Sequence, residues 1–429
     1  MSVLRTELRR STGPAAGVLT AALGLAGLYT LVMSDQSELW DAQWTLLASF
    51  QRIMLVVLWP LALGAGAWQA RRDRRTNMAE LAATTPRPVW RRALPTSAAL
   101  AIWLVLAYLV TFAAGAVRVA GSTDYPNAGW VPIVAVGALS LVAAGWLGMG
   151  IGRLLPSAHT PPILVIAGFL ALLVPVQLSK SAEPSGAALL PPNLSTTLDE
   201  FTTIAGRVDL ARAVVLAGLA VGGLLLVMVA RRKAAVIAIV PVVLSLAVAV
   251  PLVNAAPAGG VQADPGAVAE VCTTDGGPEV CVTTAHAKGL ASLTGPARKA
   301  LTLLAKLPNA PTSVREVTGE RPQPAGEAWL HSDNYQPGRG WLDSGDALVV
   351  RILAGAGTRP CDPIDYRTRA LAAAWLFGQY PAPGQRLRPG EEAAGRDAAW
   401  QTLRALPETQ QRQRIAEIRT AGLTCHGDS

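Results

Sequence analysis

The sequence predicts a polytopic α-helical membrane protein of about seven transmembrane helices, with an inside N-terminus and a C-terminal extracytoplasmic α+β domain. The 429-residue chain is 51% apolar and only 15% charged, with a mean hydropathy of +0.35. Nearly all uninterrupted apolar runs fall before residue 255. The charge divides at the same place, because residues 1–254 hold 19 Lys/Arg against 11 Asp/Glu and residues 255–429 hold 18 of each. A soluble cytosolic enzyme is therefore excluded.

Seven uncharged runs have about the length needed to cross a bilayer, whose hydrocarbon core of about 30 Å takes about 20 apolar residues in a helix. They cover residues 15–33, 53–70, 98–117, 130–152, 162–178, 213–230 and 234–254. Residues 1–254 are therefore expected to form a transmembrane domain. The fifth run is the shortest and contains Pro175, and the seventh contains Pro241 and Pro251.

None of these runs contains Asp, Glu, Lys, Arg or His. Arg52, Arg207 and Arg212 are instead placed in or beside outer loops. Because intramembrane charges mark proton relays and ion pathways, this pattern argues against a proton- or sodium-coupled transporter and against an intramembrane protease.

The loops predict the orientation, since positively charged loops stay on the cytoplasmic side. With the N-terminus inside, fourteen Lys/Arg lie in inner segments and five lie in or beside outer loops. An odd number of spans then places residues 255–429 outside. We expect a multi-pass protein of the plasma membrane with its C-terminal domain outside the cell.

Common catalytic and nucleotide-binding motifs are absent. The sequence has no Walker A pattern, no G-x-S-x-G and no H-E-x-x-H, so the commonest phosphate-binding and hydrolase signatures are missing. The charge-balanced C-terminal half has no basic stripe for nucleic acid. We therefore expect no catalytic residue, cofactor or metal in this chain, and any energy for transport must come from another protein.

The longest inner loop spans about residues 71–97. Its segment 77–83 is predicted to form a short helix, which must end before Pro86 because the residue before a proline is pushed out of the helical region. Trp90, Arg91 and Arg92 then form a basic lead into the third span. The loop is predicted to lie at the membrane face, where a partner can reach it.

This loop resembles the first inner loop of the permease subunits of ABC-2 type ABC transporters, which carries an E-x-L-x-x-T-P-x-x-R-W-type segment. The matching residues are Glu80, Leu81, Thr85, Pro86, Trp90, Arg91 and Arg92. Leu81 stands one place early, and residues 94–96 replace a lysine that is common in the family.

The resemblance covers about residues 1–233 and includes an interfacial helix before the first span, with Leu4 and Leu8 on one face. It implies that the loop is a coupling helix that docks on a separate ATPase subunit, which binds the ATP. The family usually stops after six spans. The alternative for the loop is an ordinary basic juxtamembrane segment that tethers the protein to anionic lipid.

The exterior half begins with a predicted linker at residues 255–265, and residues 266–429 are expected to form an α+β domain of about 165 residues, enough to bury its own core. A hairpin is predicted around Gly276–Gly277. The other predicted elements are helices near 295–307, 365–380 and 391–421, and strands near 315–317 and 347–353. The triplet 331–333, His-Ser-Asp, is not expected to be catalytic, because adjacent residues do not face one another as a triad requires.

All four cysteines, Cys272, Cys281, Cys361 and Cys425, lie in this half. An even number in an oxidising compartment suggests two disulfides. Local closure favours Cys272 with Cys281 and Cys361 with Cys425, although four cysteines allow three pairings. Free or metal-binding thiols are the alternative, and no C-x-x-C spacing suits zinc.

The leading functional hypothesis is the membrane-spanning subunit of an ABC-type exporter for a hydrophobic or amphipathic substrate. Its expected partners are an ABC ATPase subunit, a second permease in a homo- or heterodimer, and the lipid bilayer, with no nucleic acid. The alternative is a membrane-anchored extracytoplasmic sensing or assembly module without transport activity. An exterior enzyme of unrecognised type is a third possibility.

Overall fold

The computed structural model describes residues 3–30, 40, 43–75, 89–178, 186–194, 198–228, 232–319, 321–336, 338–360, 365–385 and 391–424. The chain forms two compact units, Met1–Asp264 and Pro265–Ser429. They are called the N-terminal unit and the C-terminal unit below. Most described residues are helical.

The N-terminal unit is built from helices. They are α1 (Val3–Arg10), α2 (Gly13–Thr30), α3 (Trp44–Ile53), α4 (Leu55–Arg75), α5 (Val89–Ser122), α6 (Trp130–Leu154), α7 (Thr160–Leu178), α8 (Gly206–Met228) and α9 (Ile239–Asn254). Strands β1 (Thr202–Ile204) and β2 (Val261–Ala263) pair antiparallel.

Five described helices are long and apolar enough to cross a membrane: Gly13–Thr30, Ala93–Ser122, Trp130–Leu154, Gly206–Met228 and Ala235–Asn254. Helices α3 and α4 pass as a sixth only when taken together, and they are bent by 53°. The described apolar part of α7, Thr160–Val174, is shorter. The described residues are mostly helical with five or six candidate spans, which is compatible with the predicted helical membrane class. The seven-span count and the orientation stay predictions.

Large apolar side chains cover the outside of this unit. Val243 and Leu244 of α9 are 56% and 62% exposed, and Ile163 and Ile166 of α7 are 59% and 62% exposed. Soluble monomers rarely expose continuous apolar patches of this kind. The surface is suited to lipid hydrocarbon.

Glycines bring the central helices into backbone contact. A Cβ atom added at Gly148 of α6 would collide with the Leu63 carbonyl of α4, and one at Gly152 would lie 2.8 Å from Ala67 Cα. On α8, a Cβ at Gly223 would lie 2.5 Å from Leu147 N of α6. Small residues allow such close approach between membrane helices. Helix α6 therefore packs tightly between α4 and α8.

The C-terminal unit contains a four-stranded mixed sheet with surrounding helices. Its strands β3 (Glu270–Thr273), β4 (Val280–Thr283), β5 (Ser313–Val317) and β6 (Glu327–His331) lie in that order, and β7 (Tyr335–Gln336) pairs with β8 (Gly340–Trp341). Strands β3 and β4 form the predicted antiparallel hairpin, whereas β4–β5 and β5–β6 are parallel. The helices are α10 (Leu290–Leu304), α11 (Asp346–Leu353), α12 (Tyr366–Phe377), α13 (Glu391–Arg404) and α14 (Glu408–Thr424).

The strand predicted at residues 347–353 is wrong, because this segment is helix α11. Its Val- and Ile-rich composition is typical of strands, but Leu348, Val349, Ile352 and Leu353 are all buried at no more than 1% exposure. This spacing of one and four residues is the period of one helix face. The predicted helices near 295–307, 365–380 and 391–421 are present with shifted ends, the last as α13 and α14.

Candidate functional site

A cluster of three charged side chains is buried inside the N-terminal unit. Arg52 lies in the last turn of α3, and Asp209 lies in the first turn of α8. Both are positions where the helix dipole favours their charge. Arg212 follows one turn later on α8. Residues Arg52, Asp209 and Arg212 are called the charged cluster below.

Arg52 is held from two sides. Its Nη1 donates to Asp209 Oδ1 at 2.9 Å, and its Nε donates to the Pro192 carbonyl at 2.8 Å. The side chain is 0% exposed and that of Asp209 is 7% exposed. These two groups form a buried, hydrogen-bonded ion pair that joins α3 to α8.

Arg212 is the second cation of the cluster. Its Nη1 is 4.0 Å from Asp209 Oδ1, too far for a hydrogen bond, and its Nε donates to the Leu189 carbonyl at 2.7 Å. Its side chain is 5% exposed. Leu189 and Pro192 belong to the segment before α8, so both arginines bind backbone of that segment.

Tyr108 of α5 and Gln51 of α3 extend the polar region. Gln51 Nε2 donates to the Tyr108 carbonyl at 2.6 Å. Tyr108 is fully buried. Its hydroxyl packs against Gly137 of α6, where an added Cβ would clash with it. Four helices therefore meet around this region.

The charged cluster corrects the expectation that the candidate spans hold no Asp, Glu, Lys, Arg or His. The uncharged runs begin at residues 53 and 213, which places Arg52 and Arg212 just outside them. The helices begin earlier, at Trp44 and Gly206. The signal that could have revealed Asp209 and Arg212 is that apolar residues flank each of them on both sides.

The predicted coupling loop lies largely outside the described residues, including Glu80, Leu81, Thr85 and Pro86. Its end is described. Helix α5 already begins at Val89, so the three residues 90–92, Trp90, Arg91 and Arg92, lie in the first turns of a helix rather than in a loop. The Arg91 guanidinium lies 5.0 Å from the centroid of the exposed Trp90 ring.

A second Trp–Arg pair precedes the loop. Arg71 of α4 lies 6.0 Å from the ring centroid of Trp68, which is 55% exposed. Tryptophan rings are enriched where helices leave the membrane. The helices on both sides of the predicted coupling loop thus carry the same kind of interfacial anchor.

The N-terminal helix α1 is attached at this same end. Its Leu8 carbonyl accepts a hydrogen bond from Trp103 Nε1 of α5 at 2.9 Å. Thr12, between α1 and α2, donates its backbone N–H to Gln69 Oε1 of α4 at 2.8 Å. Arg5 and Arg9 are exposed on α1. Helix α1 is therefore bonded to α5, and the turn that follows α1 is bonded to α4.

The predicted disulfide between Cys272 and Cys281 is present and joins β3 to β4. Both sulfurs are oxidised, so the grouping with Glu270 is not a free-thiol metal site. Cys361 and Cys425 lie outside the described residues, and their pairing stays a prediction.

The buried side chains of His286, Glu316 and Arg419 in the C-terminal unit have structural partners. His286 Nδ1 hydrogen-bonds Glu316 Oε1, and Glu316 Oε2 accepts from Thr283 N at 2.8 Å. Arg419 donates to the carbonyls of Ala356 at 2.7 Å and of Ala325 at 2.6 Å. His286 and Arg419 are both 0% exposed. These groups hold strands and loops together away from solvent.

The triplet 331–333 does not form a catalytic arrangement. His331 ends β6 and is largely buried, and burial lowers the pKa of its imidazole. The Asp333 carboxylate is 3.5 Å from Arg351 Nη1. It is thus engaged with an arginine on α11.

Comparison with family models, with curated proteins and with solved structures finds no match to the chain. The function proposed below therefore depends on the residues and geometry of the chain itself and on the resemblance of its first inner loop.

Proposed function

We propose that this chain is the membrane-spanning subunit of an ABC-type exporter, in which a separate ATPase drives transport of a hydrophobic or amphipathic substrate. Residues 1–254 cross the plasma membrane seven times with the N-terminus inside, and residues 266–429 lie outside. The chain pairs with itself or with a second permease in the bilayer. ATP binds to the partner subunit.

The observation that carries this proposal is the arrangement around the first inner loop. Helices α4 and α5 flank the loop, and each carries a Trp–Arg pair. Helix α1 is bonded to α5 through Trp103, and Thr12, which follows α1, is bonded to α4. A force on the loop from a docked ATPase acts directly on three connected helices. This is the mechanical requirement for a subunit driven from outside the chain.

The packing of the helices supports transmission of such a force. Helix α4 contacts α6 through Gly148 and Gly152, and α6 contacts α8 through Gly223. Packed interiors are close-packed and transmit strain. Movement of α4 at the inner end thus reaches α8, which carries Asp209 and Arg212.

Copurification with a candidate ABC ATPase, such as one encoded beside its gene, tests the proposal. The full chain should retain this ATPase through purification and change its rate of ATP hydrolysis. The double substitution Glu80→Arg with Pro86→Ala should abolish the coupling, because it reverses a charge and removes a helix stop in the predicted coupling loop. Glu408→Arg, the same charge reversal in the C-terminal unit, is the control and should leave coupling intact. Absence of a bound ATPase, or unchanged coupling in the double variant, contradicts the proposal.

A second candidate is a membrane-anchored extracytoplasmic sensing or assembly module. The compact C-terminal unit with its own core favours it. This function predicts that residues 265–429 retain the activity when the N-terminal unit is replaced by a single unrelated membrane anchor. An exporter subunit loses all activity in that chimera.

A further inference from the structure

The charged cluster has one more positive than negative charge. Its two guanidinium groups, Arg52 and Arg212, share one carboxylate, Asp209. The charged groups that act on Arg212 are Arg52, which repels it, and Asp209, which attracts it. Burying a net charge among membrane helices is costly, and residues that do so usually serve a substrate or an ion.

Two buried donor atoms of the charged cluster have no acceptor among the described residues. They are Arg52 Nη2 and Arg212 Nη1. A guanidinium offers five N–H donors in a planar fork that matches the oxygens of carboxylate and phosphate groups. An oxyanion would therefore accept hydrogen bonds from the unpaired donors and also balance the excess positive charge.

A purely structural role explains Arg52 better than Arg212. The pair of Arg52 with Asp209 is already neutral and hydrogen-bonded at 2.9 Å. Arg212 adds a second buried cation and gains a hydrogen bond to the Leu189 carbonyl. A neutral side chain at residue 212 would avoid the desolvation of that cation.

We propose that Arg52 and Arg212 bind the phosphate or carboxylate group of an anionic amphiphile within the N-terminal unit. Arg212 lies six residues after the start of α8, which is about 9 Å along the helix axis. The site is therefore inside the helical unit, close to one end of it. The proposal rests on the proposed function only in identifying this amphiphile with the transported substrate.

Anion-dependent stability of the full chain in a neutral detergent tests the site. The unfolding midpoint is followed by tryptophan fluorescence with sodium phosphate against sodium chloride at equal ionic strength. A second arm uses micelles doped with phosphatidic acid against phosphatidylcholine of the same acyl chains. We expect a saturable rise of the midpoint with a phosphate-bearing probe. A rise in both arms identifies a general oxyanion site, and a rise only with phosphatidic acid identifies an amphiphile site.

Arg212→Gln is the decisive variant because it leaves the neutral pair of Arg52 and Asp209 intact. Without anion, it should unfold at the same midpoint as wild type or at a higher one. Its half-saturating anion concentration should be at least tenfold higher than that of wild type. Arg207→Gln, at an exposed position on the same helix, is the matched control and should respond like wild type.

Two results overturn the proposal: a wild-type midpoint that no probe shifts, and an Arg212→Gln variant that responds like wild type. Where Arg212→Gln does not fold, Arg212→Lys replaces it, since an ammonium keeps the charge but lacks the fork. Weaker binding by the lysine variant supports the site, and unchanged binding overturns it. A chain that binds the anion but does not couple to an ATPase refutes the proposed function and leaves the anion site standing.

Discussion

Asp209→Asn is expected to destabilise the N-terminal unit more than the removal of either arginine. The substitution removes the carboxylate that Arg52 contacts at 2.9 Å and that Arg212 approaches at 4.0 Å. Two buried guanidinium groups are then left without an anion. Arg52→Gln is milder, because Asp209 keeps Arg212 as a neighbouring cation.

The magnitude follows from these two distances. With an effective dielectric constant of about 20, unit charges 2.9 Å and 4.0 Å apart attract by about 6 and about 4 kcal/mol. Desolvation offsets much of this, and breaking one partner out of a buried ion pair costs about 3–5 kcal/mol. We expect a loss of about 3–5 kcal/mol for Asp209→Asn, and a smaller loss for Arg52→Gln.

The assay is unfolding of the purified chain by SDS in mixed micelles, followed by tryptophan fluorescence. Asp199→Asn, an exposed acid of the same unit, is the control and should change the free energy of unfolding by less than about 0.5 kcal/mol. A free energy of unfolding for Asp209→Asn within about 1 kcal/mol of the wild-type value would contradict a stabilising role of the carboxylate. A larger loss for Arg52→Gln than for Asp209→Asn would contradict the expected order of the two variants.

Three further predictions concern packing, the disulfide and pH. Gly148→Leu should lower the free energy of unfolding by more than about 3 kcal/mol, the usual upper range for overpacking, because the new side chain meets backbone atoms. Gly121→Leu, at a position that faces open space, should leave the free energy of unfolding unchanged in the same SDS assay. Cys272→Ser with Cys281→Ser should lower the free energy of unfolding of the C-terminal unit in urea by about 2.5–3 kcal/mol, the chain entropy of so short a loop, and equal stability of variant and wild type would contradict this. Burial lowers the pKa of His331 from its ordinary 6.5, so the unfolded state binds the proton first and the free energy of unfolding falls as the pH drops below about 6.5. His331→Gln should weaken this dependence of the free energy of unfolding on pH between pH 7.5 and 5.5. An unchanged dependence would assign it to other groups.

The sequence predicts the helices of the N-terminal unit well because their central parts are long, apolar and uncharged. Their ends are less predictable. Helix α5 starts at Val89 rather than near residue 98, and α8 starts at Gly206 rather than near 213, because a helix continues through charged residues whose partners it finds in three dimensions. Arg52 and Asp209 are separated by 157 positions, and no local sequence pattern predicts that they form an ion pair.

The C-terminal unit shows the same division between local and long-range information. The hairpin bridged by Cys272 and Cys281 is predictable because nine positions separate the two cysteines and a Gly-Gly turn lies between them. Helix α11 is not, since its Val- and Ile-rich segment favours a strand by composition and becomes helical through packing of one face. The parallel pairing of β5 with β6 also depends on contacts that the local sequence does not encode.

An ATPase is proposed to act on this chain through its first inner loop. The ATP hydrolysis rate of the purified complex of this chain with a candidate ABC ATPase, reconstituted in lipid vesicles, measures that action directly. We expect the wild-type chain to alter the rate and Glu80→Arg with Pro86→Ala to remove the effect, while Glu408→Arg preserves it. An ATPase whose rate is the same with the wild-type chain, with the double variant and without any chain would contradict this coupling.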